Sequence, residues 1–248
     1  MKLTESKLTS ISMFKVTSAD TDMYARLRLS AAINLLVQSA IDSADSLGFG
    51  YQGIRHQNLY WVLSRLTIEL HRPIKWYEKV EVETWPKNVE RVLYLRDYLI
   101  RDANRNVVGK ATSGWLAVDI ETKRMKKIDG VHADYFSHLK DKHAIVALPE
   151  KLYPVSDGES FEIRSCYFDI DLNGHVSTTR YIDWMMNTLS RDFHKDNYPK
   201  KLSINIMKET MPEEMILIKR NNNNEMQYQF EGFKMNDNVN VFRAAIDF

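Results

Sequence analysis

Asp171, Asn173 and His175 stand at alternate positions, in the run Asp169-Ile-Asp-Leu-Asn-Gly-His175, just before an apolar periodic segment. The spacing puts a carboxylate, an amide and an imidazole on one short irregular stretch. Gly174 relaxes the backbone there. Ser177 or Thr178 stands where a helix cap is expected. A helix start offers free N–H groups and partial positive charge, which suits a carbonyl oxygen becoming an oxyanion. Histidine exchanges protons near neutral pH. Together these groups suit transfer of an acyl group to water. The competing reading is an Asx-rich turn that only satisfies the helix start, and spacing alone leaves both open.

A paler copy of the motif lies near the N-terminus. Asp20 and Asp22 precede Asp169 and Asp171 by 149 residues without a gap, but Tyr24 and Arg26 occupy the places of Asn173 and His175. An apolar helical stripe follows each copy. The first runs through Leu29, Ile33, Leu36, Val37, Ala40, Ile41, Ala44 and Leu47, and the second through Tyr181, Ile182, Met185, Leu189 and Phe193. Alternating, β-branched-rich strands come next. They are expected at Leu59–Leu70, Lys79–Trp85, Val92–Arg101 and Val107–Val118, and again at Leu202–Met207, Met215–Arg220, Glu225–Phe233 and Val239–Asp247. Pairing Leu66–Leu70 with Ile204–Lys208 gives an offset of 138, so eleven extra residues are expected in the loop Phe49–Asn58. The pattern predicts an α+β tandem with domains at 1–141 and 160–248, joined by a linker at 142–159 that carries Pro149, Pro154 and Gly158. In each unit a long helix must be wrapped by an antiparallel sheet to bury its stripe.

The motif resembles the signature of hotdog-fold thioesterases, and more closely that of acyl-acyl-carrier-protein (acyl-ACP) thioesterases, whose loop reads D-x-N-x-H-V-N-N-x-x-Y-I-x-W. Asp171, Asn173, His175, Val176, Tyr181, Ile182 and Trp184 match it, while Ser177 and Thr178 replace the Asn pair. Gln57-Asn58-Leu-Tyr-Trp61-Val62 resembles the family's R-N-L-x-W-V, and Glu78–Trp85 its D-x-V-E-V-x-T-W. The resemblance implies two tandem hotdog domains. It also implies hydrolysis of the thioester of fatty acyl-ACP, releasing free fatty acid and carrier protein. Tandem-hotdog hydratases or dehydratases and a non-catalytic acyl-binding module are the alternatives. The family's remaining carboxylate, in Y-R-R-E-C, falls on Glu209, and its cysteine on Thr210. On this reading His175 and Glu209 share the acid–base work. Asn173 fixes carbonyl or water, Asp171 orients Asn173 and His175, and N–H groups near Val176–Thr178 meet the oxyanion. Asn58 and Trp61 are expected to contact substrate, and the first copy to be silent and to shape the acyl pocket. Arg26 is a candidate contact for carrier or pantetheine phosphate.

Cys166, the only thiol, is expected to be a buried apolar residue on a strand, which argues against thiol catalysis. The basic run Lys123-Arg124-Met125-Lys126-Lys127 is a candidate docking patch for an acidic carrier protein. His132, His138 and His143 lack the spacing of a zinc site, and no cofactor or metal is expected. The 248 residues carry 34 basic and 33 acidic side chains, a balance that argues against nucleic acid as a partner. No apolar run reaches the ~18 residues of a membrane span, and the first ten residues lack the apolar core of a signal peptide. With one cysteine, nothing calls for an oxidising compartment, and a cytoplasmic protein is expected. A homodimer is an allowed assembly.

Overall fold

The computed structural model describes residues 4–128, 135–155 and 157–248, apart from the Asn223 side chain. After a short helix α1 (Glu5–Leu8), the first half runs β1 (Ser10–Lys15), α2 (Leu29–Ser46), α3 (Tyr51–Arg55), β2 (Leu59–Leu70), β3 (Lys79–Glu90), β4 (Leu93–Asp102), β5 (Val107–Asp119) and β6 (Met125–Lys126). The second runs β7 (Glu159–Arg164), α4 (Thr178–Asn187), α5 (Arg191–Asp196), β8 (Lys201–Ile206), β9 (Met215–Asn224), β10 (Gln227–Lys234) and β11 (Asn240–Asp247). All the strands belong to one antiparallel sheet of order β1-β3-β4-β5-β2-β8-β11-β10-β9-β7, with β6 attached to β5. The order reads alike from either end, and β2 pairs with β8 at its middle. Each half therefore contributes five strands to this order in the same arrangement, with β6 an addition to the first, and the architecture is the tandem expected from the repeat.

The helices follow the apolar spacing. On α2, Leu29, Ala32, Ile33, Leu36 and Ala40 are buried in one core with Tyr181, Ile182 and Met185 of α4. Full burial of a side chain such as Leu36 contributes about 1.5–3 kcal/mol. The second stripe is shorter than its periodicity suggests. It stops at Asn187, and a new helix starts at Ser190, whose hydroxyl accepts the Phe193 N–H. Side-chain capping outcompetes continuation of the apolar period.

The repeat is also structural, with one correction. The bulge that skips Val108 in β5 recurs as the bulge that skips Val241 in β11. Three residues on, Ala111 pairs with Ile68 and Ala244 with Ile204. Ile204 thus corresponds to Ile68 rather than to Leu66, and the offset is 136 residues instead of 138. Thr67 and Ser203, 136 residues apart, face each other across the centre and share a hydrogen bond of 3.2 Å. The slip of two keeps every side chain on its face, which is why sequence periodicity could not detect it. The first copy therefore carries thirteen extra residues, and part of them forms α3.

The expected linker is tied to the sheet. Its Ala144 and Ile145 N–H groups donate to Asp97, Leu152 N–H to Asn205 Oδ1, and Val155 N–H to Glu231, which is buried. These bonds satisfy irregular backbone that no strand partner reaches.

Candidate active site

Both copies of the Asp-x-Asp motif build the same turn. Asp20 accepts the Thr17 N–H at 2.9 Å, and Asp169 accepts the Cys166 N–H at 2.7 Å. In each loop the second aspartate gathers backbone donors. Asp22 Oδ1 accepts the N–H groups of Tyr24 and Arg26, and Asp171 Oδ1 those of Asn173 and, at 3.5 Å, His175. Asp171 is therefore placed to orient Asn173 and His175 through their backbone. Gly174 has φ +82°, so its lack of a side chain is used.

The copies then diverge. In the second, His175 Nε2 lies 3.1 Å from Glu209 Oε2, with the two side chains 18% and 35% exposed. Glu209 sits beyond the end of β8, on irregular backbone. In the first, Arg26 pairs with Asp22 at 2.8 Å and donates to the carbonyls of His194 and Asn197. Its guanidinium is engaged by internal acceptors and does not line the cleft described below.

His175 and Glu209 open onto a cleft of about 620 Å³ with mainly apolar walls. Asp171, Asn173, Thr178 and Thr179 line it near the pair, together with Val37, Ala40 and Ile41 of α2. Another part is built from rings: Trp61 lies 6.4 Å from Phe49 and 5.1 Å from Tyr94, and Phe136 packs on both Phe49 and Tyr94. The Trp61 Nε1–H donates to the Phe49 carbonyl at 2.8 Å, fixing the ring while its apolar body faces the space. Gly50, Tyr51, Ile54 and Arg55, from the extra segment of the first copy, close one side. Such a cavity accepts an extended apolar chain.

Several expectations need correction. Asn58 does not line the cleft. It takes the left-handed conformation, φ +58°, in the turn before β2, and its carbonyl accepts the Ile120 N–H. The Val176 N–H donates to Thr210 O and the Ser177 N–H to Asp169 O, both at 2.9 Å, so neither is available to an oxyanion. The N–H groups left at the mouth are those of Thr178 and Thr179, in the first turn of α4. Ser177 is the cap residue, but its hydroxyl pairs with Thr179 Oγ1 rather than with backbone. Cys166 is exposed, because β7 ends at Arg164 and the chain turns there; it does not line the cleft. Thr210 is fully buried.

Sequence reasoning did not single out Tyr60. Its hydroxyl donates to Glu209 Oε1 at 3.0 Å, across the boundary between the halves. Lys123 lies over the Tyr60 ring, 5.1 Å from its centre, which brings the basic run to the mouth of the cleft. Lys126 is paired with Asp119, whereas Lys123, Arg124 and Lys127 are exposed and form no ion pair among the described residues. His132 lies outside the described residues. Among those described, no three His, Cys, Asp or Glu side chains gather as metal ligands.

Comparison with known proteins points one way. The acyl-ACP thioesterase N-terminal domain family matches residues 7–135, and the acyl-ACP thioesterase C-terminal domain family matches residues 153–248. A chloroplastic oleoyl-acyl carrier protein thioesterase of Coriandrum sativum is 28% identical over 207 residues, 77% of this chain and 56% of that one. A counterpart in Arabidopsis thaliana is 24% identical, over 86% of this chain and 64% of its own. The chain thus spans less than two thirds of these curated relatives. The crystal structure of an acyl-ACP thioesterase from Bacteroides thetaiotaomicron superimposes with a TM-score of 0.91 at 25% identity, covering 99% of this chain and 100% of that one. The 12:0-ACP thioesterase of Umbellularia californica shares the fold, with a TM-score of 0.81 at 18% identity over 97% and 93% of the two chains.

Proposed function

Because the chain belongs to the acyl-ACP thioesterase family, we propose that it hydrolyses the thioester of fatty acyl carrier protein, releasing free fatty acid and the carrier thiol. The observation that carries this reading is the His175–Glu209 pair, 3.1 Å apart, at the mouth of an apolar cleft.

The acyl chain lies among Trp61, Phe49 and Tyr94, and the thioester carbonyl faces the first turn of α4. His175 and Glu209 take a proton from water as its oxygen bonds to the carbonyl carbon. The carbonyl oxygen becomes an oxyanion at the Thr178 and Thr179 N–H groups, where the helix N-terminus favours negative charge. Collapse breaks the C–S bond, and the stored proton goes to the leaving thiolate. Asn173 holds the carbonyl or the water, and Asp171 keeps the loop in shape. The step needs no cofactor. The first copy, with Arg26 where His175 stands in the second, walls the acyl pocket.

The basic face suits an acidic carrier, because complementary charge speeds encounter. Lys123, Arg124 and Lys127 lie beside the mouth, where the carrier must deliver its pantetheine arm. Changing all three to Glu is expected to raise KM for acyl-ACP severalfold and to leave KM for the matching acyl-pantetheine unchanged. An equal rise for both substrates would remove the docking role. Among the described residues no helix is long and apolar enough to cross a membrane, and we place the reaction in the cytoplasm.

The test is direct. The protein is incubated with acyl-ACPs of graded chain length, and free thiol and free fatty acid are measured. Equal amounts of both are expected. A hydrated or shifted double bond with the thioester intact means a hydratase, and binding without turnover means an acyl-binding module.

A further inference from the structure

We propose that Tyr60 is a positioning residue for the catalytic pair, donated by the first half of the chain to the site of the second. The proposal rests on the reading of His175 and Glu209 given above. A glutamate on irregular backbone, 35% exposed, has three torsions to settle before it can serve a neighbour. Here both of its oxygens are engaged. Oε1 accepts the Tyr60 hydroxyl at 3.0 Å, and Oε2 faces His175 Nε2 at 3.1 Å. Tyr60 is the second residue of β2 and pairs with Val118 of β5, so its own position is set by the ladder between these two strands. Lys123 over its ring adds a further constraint. Rigidity thus passes from the sheet through the phenol to the carboxylate and on to the imidazole.

The phenol is suited to this task. Burial first, and then the hydrogen bond to Glu209, push its pKa up to about 12. It stays protonated through the working range, so it always donates and never takes the proton that His175 and Glu209 exchange. The repeat supplies a contrast. The position 136 residues on from Tyr60 is Asp196, which lies in α5 and outside β8. Among the described residues the donor to Glu209 Oε1 comes from the first half, so the site is complete only with both.

Tyr60→Phe keeps the ring and removes the hydroxyl. It is expected to lower kcat by about 10-fold, the equivalent of about 1.4 kcal/mol, with KM and the unfolding temperature unchanged. In a Glu209→Gln background the same change is expected to cost much less, since the two residues act through one another. Unchanged kcat in Tyr60→Phe overturns the proposal, and so does an equal loss in both backgrounds. A crystal structure of Tyr60→Phe gives a readout that does not need turnover. The Glu209 carboxylate is expected to leave His175 or to adopt several rotamers, and a carboxylate still fixed at its present distance overturns the proposal. If wild-type protein hydrolyses no acyl thioester, the proposed function fails, while the crystal structure still decides the positioning role.

Discussion

His175→Ala and Glu209→Ala are each expected to lower kcat on acyl-ACP by at least about 100-fold, because a positioned acid–base group contributes ~10²–10⁴-fold. Neither should unfold the protein. Both side chains are partly exposed at the cleft mouth, neither belongs to the apolar core, and their principal partner is each other. The loop itself is held by backbone bonds that these changes leave intact: Asp171 N–H to His175 O at 2.8 Å, Val176 N–H to Thr210 O, and Ser177 N–H to Asp169 O. The double variant should lose little more than the worse single one, as expected of groups that act as a unit. The measurement is kcat with a saturating medium-chain acyl-ACP, alongside thermal unfolding. Near-normal turnover in either single variant would show that its role is wrongly assigned. Turnover lost together with the unfolding transition would show a structural role instead.

Lys87→Met is expected to destabilise the protein by roughly 3–5 kcal/mol, the usual cost of leaving a buried charge without its partner. Lys87 is 3% exposed and Asp97 0%, with Nζ and Oδ2 separated by 3.2 Å. Lys87 is the residue that β3 skips at the bulge between Pro86 and Asn88, and the extra residue lets the chain aim this long side chain inward. The ammonium also donates to the Ile145 carbonyl, while Asp97 Oδ2 accepts the Ala144 and Ile145 N–H groups. The pair therefore clamps the segment joining the two halves onto β4. For a chain of this size the loss corresponds to a fall of roughly 10 °C in Tm. Replacing both residues, as Lys87→Met with Asp97→Leu, should recover part of the loss, since a well-packed apolar pair costs no desolvation of charge. Recovery should stay incomplete, because the two backbone N–H groups then lack their acceptor. A Tm within 2 °C of wild type for Lys87→Met, a threshold worth only about 1 kcal/mol, would sink the idea that this pair secures the segment.

Much of the molecule was legible before any coordinates. Val80, Val82 and Thr84 alternate with Glu81 and Glu83, and β3 buries the first set. The α2 stripe and the Asp-x-Asp repeat are equally local, and both copies of the turn fold alike. The pairing of His175 with Glu209 was reachable only through family resemblance, because nothing in the spacing of two residues 34 positions apart brings them together.

What remained depended on which strands became neighbours. The side-chain period of a strand is two, so sequence alone determined which face each residue occupies, the existence of the duplicated unit and the composition of the Asp171–His175 loop. It could not determine register, because a slip of two residues preserves every face, and the offset between β2 and β8 came out at 136. Only the tertiary structure decided that Tyr60 reaches Glu209, that Asn58 serves a turn, and that the N–H groups of Val176 and Ser177 are already bonded. The bonds Tyr60–Glu209, Ile120–Asn58 and Val176–Thr210 join segments far apart in the chain, which no local pattern encodes, while Ser177–Asp169 closes the loop on itself.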